Sequence, residues 1–188
     1  HMGRVSSWRR YELMSYFVVD NFLPEEDYRS IRDVITSNEF PWYLQDIVTG
    51  GVEVGADADD DPLDVLFTHH FYSGMGNPIG VRSNFYDTCC VPIIKKIENA
   101  MVVRIKANCY PRTESLRTHN FHVDHRFPHE TLLLSFGSND GYTLLETGEK
   151  IESVENRALF TKDLLPHAST NCTDLNCRIN LNVTFIKV

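Results

Sequence analysis

The chain has 188 residues, a formal net charge of −8 and five cysteines, and that length suits one domain able to bury its own core. An acidic balance without any long Lys/Arg run argues against tight binding of DNA or RNA through phosphates, and no apolar run approaches the roughly eighteen residues that cross a bilayer. The expectation is a soluble, cytoplasmic protein whose Cys89, Cys90, Cys109, Cys172 and Cys177 are reduced packing thiols, since they are odd in number and lack the spacing of a zinc knuckle or a disulfide framework.

His1-Met2-Gly3 reads as a cloning remnant, which leaves 4–188 as the predicted domain. Residues 16–23 read as a strand, followed by a helix opened at Pro24 with Glu25, Glu26 and Asp27 at the positive end of its dipole. Tyr28, Ile31, Val34 and Ile35 follow at helical spacing, an apolar stripe that should lie on a sheet. From Asp46 to Asp64, glycines and clustered acids predict a loop, either plain solvated surface or a flap over a site. Residues 67–72 predict a strand in which the adjacent His69 and His70 point to opposite faces and cannot chelate one ion. A second helix is expected over 81–99, bent at Pro92, with Phe85, Cys89, Ile93, Ile94 and Ile97 buried.

The strand predicted over 102–110 puts Val103, Ile105, Ala107 and Cys109 on one face and Arg104, Lys106, Asn108 and Tyr110 on the other. A buried polar face of that kind needs partners. If 121–125 is extended, His122 and Asp124 share a face, and His167 would complete two histidines and one carboxylate, the open-sided set of non-haem Fe(II) oxygenases. Zinc also accepts such a set. Residues 131–136, 142–146 and 158–160 read as further strands, and 177–187 as a closing strand with Ile179, Leu181, Val183 and Phe185 on one face. Arg178 and Asn180 lie on the other, where Arg178 could return beside the metal as a fixed cationic fork for a carboxylate. Helices followed by short, regularly spaced strands give an α+β class, a jelly roll with N-terminal buttressing helices.

His122-x-Asp124, His167 and Arg178, together with the runs 138–143, Asn156-Arg157 and 178–180, resemble the 2-oxoglutarate and Fe(II)-dependent oxygenase superfamily, in particular its prolyl-4-hydroxylase-like branch of phage and bacterial type. The likeness covers roughly 102–188. It implies a double-stranded β-helix, Fe(II) on His122, Asp124 and His167, and 2-oxoglutarate with its distal carboxylate on Arg178. Asn108-Cys109-Tyr110 resembles the Asn-x-Tyr that some members place on the cosubstrate, although Tyr110 packing and Asn108 capping a turn explain the run equally well. Asn180 and Ser135 complete the cosubstrate set, and Ser135 stands where prolyl hydroxylases often have a tyrosine. The resemblance further implies consumption of O2, release of succinate and CO2, hydroxylation of a substrate C–H, and ascorbate as a candidate reductant.

A prolyl residue of a protein or peptide is the leading expected substrate. The alternatives are the same chemistry on a nucleobase or small metabolite, or a jelly-roll binding protein without catalysis. His125 and Arg126 could meet substrate, while Arg157 could equally brace a turn. A phage origin would place the protein in the host cytoplasm.

Overall fold

The computed structural model describes residues 14–45, 52–53 and 65–188. The acidic loop expected at 46–64 thus lies outside the described residues except for the backbone of 52–53. The strands in chain order are β1 (Tyr16–Val19), β2 (Tyr43–Gln45), β3 (Val52–Glu53), β4 (Leu66–Ser73), β5 (Gly80–Val81), β6 (Ala100–Pro111), β7 (His122–Val123), β8 (Glu130–Phe136), β9 (Tyr142–Leu145), β10 (Lys150–Glu152), β11 (Ala158–Thr161), β12 (His167–Ser169) and β13 (Cys177–Lys187). Two helices, α1 (Glu25–Ile35) and α2 (Tyr86–Ile94), precede β6.

Among the described residues the strands form two antiparallel sheets. The larger runs β1-β11-β8-β13-β6-β4-β2 with β5 added to β4, and the smaller runs β10-β9-β12-β7-β3. This is the double-stranded β-helix expected from the sequence. The alternation of β13 divides the larger sheet. Ile179, Leu181, Val183 and Phe185 join Ile105, Ala107, Leu132 and Leu134 in a core closed by Tyr28, Ile31 and Ile35 of α1 and Cys89, Cys90 and Ile93 of α2. Tyr28 stacks on Phe136 at 5.3 Å between ring centroids, which ties α1 to β8. The opposite face carries Arg104, Lys106, Asn108 and Tyr110 of β6 beside Arg178, Asn180 and Asn182 of β13, in antiparallel register Tyr110↔Arg178, Asn108↔Asn180 and Lys106↔Asn182. That polar face meets the smaller sheet, so the interior between the sheets is a site rather than a second core.

Three expected elements are shorter than the patterns suggested. The first strand stops at Val19 because Asn21 turns the chain with φ of 51°, after which the side-chain amide of Asn156 takes the backbone N–H of Leu23 and donates to its carbonyl. Helix α2 covers 86–94 instead of 81–99: Gly80 and Val81 are drawn into a pairing with Tyr72 and Ser73 of β4, and the helix ends two residues beyond Pro92. β7 has only His122 and Val123, with Asp124 just past its end. His69 proves structural, its Nδ1 at 2.8 Å from the Pro41 carbonyl and its Nε2 at 2.7 Å from Ser83 Oγ, inside an aromatic group with Phe40, Phe71 and Phe85. No helix of the described residues is long and apolar enough to cross a membrane.

Candidate metal centre

Strands β7 and β12 are antiparallel neighbours in which His122 and His167 are direct partners. Their rings stand 4.7 Å apart, and their ligand atoms and a carboxylate oxygen of Asp124 all lie within 4.8 Å of one another. His167 therefore points into the pair that the sequence spacing proposed. Each histidine places Nδ1 against a carbonyl two residues earlier in the chain, Asn120 at 3.2 Å and Leu165 at 3.1 Å. A carbonyl can only accept, so Nδ1 carries the proton and Nε2 keeps its lone pair for a cation. Burial, reinforced by the neighbouring His167, pushes His122 down from 6.5 to about 4, so it is neutral at pH 7.

Asp124 is buried and held from three directions. Arg104 Nη2 donates to its Oδ1 at 2.5 Å, and Thr131 Oγ1 and Asn182 Nδ2 each donate to its Oδ2 at 3.2 Å. Burial alone would raise its pKa, but the charges of Arg104, His167 and Lys106 more than offset it, and the carboxyl stays well below the usual carboxylate range. Two imidazoles and one ionised carboxylate match the donor set of a divalent ion with open positions.

Arg178 is 1% exposed. Its Nε donates to Ser153 Oγ at 2.6 Å, Nη1 to the Thr170 carbonyl at 2.9 Å and Nη2 to Thr143 Oγ1 at 2.9 Å, and the guanidinium lies over the Tyr110 ring at 5.5 Å. It has no carboxylate partner among the described residues. A buried guanidinium without a counter-ion is costly unless an anion is supplied, and two of its five N–H donors remain free for one. Beside it Asn108 Nδ2 donates to Asn180 Oδ1 at 2.8 Å, which leaves Asn108 Oδ1 and Asn180 Nδ2 buried without partners. Tyr110 is buried and stacks on His119 at 5.5 Å, and Ser135 is buried opposite Asn180. A small cavity of about 10 Å³, lined by Leu133, Thr143, Leu159, Asn182 and His167 among others, lies between the metal ligand His167 and the Thr143 that holds Arg178. The residues present thus fit both a divalent cation and a dicarboxylate.

The expected site residues His122, Asp124, His167, Arg178, Tyr110, Asn108, Asn180 and Ser135 all face this interior. Asn156 and Arg157 do not: Arg157 pairs with Asp20 at 2.6 Å and braces the turn after β1. Spacing and parity did not show the roles of the residues that hold the others in place, namely Arg104, Thr131 and Asn182 on Asp124, and Thr143, Ser153 and Thr170 on Arg178. Gly141 belongs with them, because a Cβ there would strike the Asn171 carbonyl and stand 2.7 Å from Arg178 Cδ. Gly141→Ala should cost about 1–3 kcal/mol through overpacking and displace the guanidinium, read as a lower Tm.

The histidines also set an acid limit. His122 and His125 are each pushed by burial from 6.5 to about 4, so between those values the unfolded chain takes up protons that the folded chain refuses. Stability is complete above about 6.5 and declines as the pH falls towards 4. Asp124 is also held low, but a depressed carboxylate loses its stabilising charge only as the pH falls below the ordinary 3.8, so it adds no loss in this window. Melting curves of the metal-free protein should show Tm falling from pH 7 to pH 5, and His122→Gln should flatten part of that slope.

No family model and no curated protein matches the chain. Solved structures do. The fold is similar to that of an oxidoreductase of the 2OG-Fe(II) oxygenase family from Burkholderia pseudomallei, at 8% identity and a TM-score of 0.63 over 94% of this chain and 88% of that one. It is similar to a prolyl hydroxylase from Trichoplax adhaerens in complex with a hypoxia inducible factor peptide, at 14% identity and 0.59 over 95% and 86%. It is also similar to HygX from Streptomyces hygroscopicus with nickel and 2-oxoglutarate bound, at 8% identity and 0.55 over 96% and 86%.

Proposed function

We propose that the protein is an Fe(II)- and 2-oxoglutarate-dependent oxygenase that hydroxylates a C–H bond of its substrate, with a prolyl residue of a protein or peptide as the leading candidate. The observation that carries this reading is the coexistence of a His122-Asp124-His167 cluster with a buried Arg178 that has no carboxylate partner among the described residues. Zinc alone would use the first and leave the second without a task. His122 Nε2, His167 Nε2 and Asp124 would hold the iron. Arg178 would take the distal carboxylate of 2-oxoglutarate, with Tyr110, Asn108, Asn180 and Ser135 around it. When bound, the pair supplies oxidative decarboxylation to succinate and CO2 coupled to O2 activation, with ascorbate a candidate reductant.

The protein's own part is placement. The Nδ1–H bonds to Asn120 and Leu165 fix the imidazole tautomers, and Arg104 keeps Asp124 ionised. The likeness to prolyl hydroxylase folds supports the proline reading. A small acidic metabolite is the second reading, favoured by a half-buried Lys106 that makes no hydrogen bond or ion pair among the described residues. The test is succinate release by the Fe(II)-loaded protein offered proline-containing peptides, with a mass gain of one oxygen on the peptide. Modification confined to a nucleobase or free metabolite removes the proline assignment. Failure of the protein to bind Mn(II) and 2-oxoglutarate in calorimetry removes the oxygenase reading and leaves a binding protein.

A further inference from the structure

The inward face of β6 carries Arg104, Lys106, Asn108 and Tyr110 in succession, and their tasks divide along the strand. Tyr110 and Asn108 lie at the Arg178 end, where their register partners are Arg178 and Asn180. Arg104 is committed to Asp124. Lys106 lies between them. Its neighbours across the strands are Asn182, which donates to Asp124, and His70. Its ammonium acts electrostatically on His122, Asp124, His125 and His70, so it stands at the metal ligands. Yet Lys106 has no hydrogen bond or ion pair among the described residues. Burial, with Arg104 adding to it, brings it down from 10.5 to about 8, which leaves it mainly cationic at pH 7.

Two further polar atoms in the same surroundings are buried and unpartnered, Arg104 Nε and His125 Nε2. Asp124, the carboxylate that acts on Lys106 among the described residues, already receives Arg104, Thr131 and Asn182. A divalent ion on the triad would add more positive charge. Among the described residues, the metal, Arg104 and Lys106 leave this end of the interior net positive even after Asp124 and one carboxylate of a keto acid on the metal are counted. Like charges gathered in a low-dielectric interior repel strongly unless an anion completes them. The distal carboxylate of 2-oxoglutarate is drawn to the other end, by Arg178.

Taking the oxygenase reading as its premise, we propose that Lys106 is a specificity-determining residue that binds a carboxylate of the substrate beside the metal, so that the oxidised carbon belongs to an acid or amino acid whose anionic group lies next to the reacting C–H. The carboxylate could be that of a free small acid or of an acidic residue in a peptide. Its two oxygens would accept from the Lys106 ammonium and from Arg104 Nε–H. A neutral prolyl segment without an adjacent carboxylate would leave the cation unmatched.

The test uses the whole protein loaded with Mn(II) and 2-oxoglutarate without O2, and reads paramagnetic relaxation of the methyl protons of acetate, with acetamide as the neutral control. The expected result is saturable relaxation of acetate, absent for acetamide, and weakened roughly tenfold or more in Lys106→Met, since hydrogen bonds to charged groups are the strong ones. Met has a similar length and no charge to bury, so the variant should fold, and an unchanged Tm verifies this. Displacement of acetate by a capped glutamate amide supports a peptide source for the carboxylate, and its failure to displace supports a free acid. Acetate relaxation that is equal in wild type and Lys106→Met overturns the proposal. So does a parallel loss of 2-oxoglutarate or Mn(II) affinity in the variant, which would assign Lys106 to the cosubstrate or the metal. Wild-type protein that fails to take up Mn(II) and 2-oxoglutarate instead overturns the oxygenase reading itself.

Discussion

Asp124→Ala and His122→Ala should both abolish turnover through loss of the metal, but only Asp124→Ala should unfold the metal-free protein at a distinctly lower temperature. Each substitution removes one of three donors, and the affinity for Mn(II) should drop by more than the roughly 10–100-fold that follows loss of a partner one layer out from the metal. The two positions differ in what is left behind. His122 is tied to the rest of the chain by one hydrogen bond, to the Asn120 carbonyl, and its ring is neutral at pH 7. Asp124 neutralises Arg104, whose side chain is 14% exposed, and removing the carboxylate strands that guanidinium among Lys106 and the histidines. An uncompensated buried charge costs about 3–5 kcal/mol, which for a chain of this size lowers Tm by on the order of 10 °C. Asp124→Asn gives no gentle version, because donors from Arg104, Thr131 and Asn182 reach both oxygens and leave no acceptor for an amide NH2. Calorimetry with Mn(II) and thermal melts without it separate the two effects. Equal Tm values for the two variants would show that Arg104 does not depend on Asp124.

The contrast between these two ligands also marks how far the sequence could be read. Parity placed His122 and Asp124 together, and alternation in 177–187 turned Arg178 inward, because a strand's period of two needs no tertiary information. Parity likewise put Arg104 on the interior face but could not name its partner, which is twenty residues away by sequence and is fixed by how the smaller sheet sits on the larger. The residues holding Arg178 are harder still. Thr143, Ser153 and Thr170 are short polar side chains or plain backbone, common in any β protein, and only packing gives them a role. Strands of two or three residues such as β2, β5 and β10 are too brief to leave a periodic trace. The expected second helix is too long because pairing draws Gly80 and Val81 onto β4 and the helix ends two residues beyond Pro92.

Arg178→Lys should raise the 2-oxoglutarate requirement roughly 10–100-fold, the equivalent of losing one charge-assisted hydrogen bond of about 1.5–3 kcal/mol, while leaving Mn(II) affinity unchanged. Lysine keeps the positive charge but presents it as a point rather than a planar fork, so a carboxylate can no longer be held by two parallel N–H bonds. The variant is preferable to Arg178→Ala, which also leaves the Thr170 carbonyl without its Nη1 donor and opens a void under Tyr110; a weaker cosubstrate affinity in that protein would be mixed with general destabilisation. Metal binding is spared because none of the groups touching Arg178, namely Ser153, Thr143, the Thr170 carbonyl and the Tyr110 ring, is a metal ligand. Calorimetric titration of 2-oxoglutarate into the Mn(II)-loaded variant measures the effect. Unaltered affinity would mean that the carboxylate lies elsewhere, with Lys106, which is unpaired among the described residues, as the next candidate. The outcomes at Arg178 and Lys106 therefore assign the two ends of the interior: Arg178→Lys should act on the keto acid alone and Lys106→Met on acetate alone, and exchanged effects would reverse the orientation in which the cosubstrate lies between them.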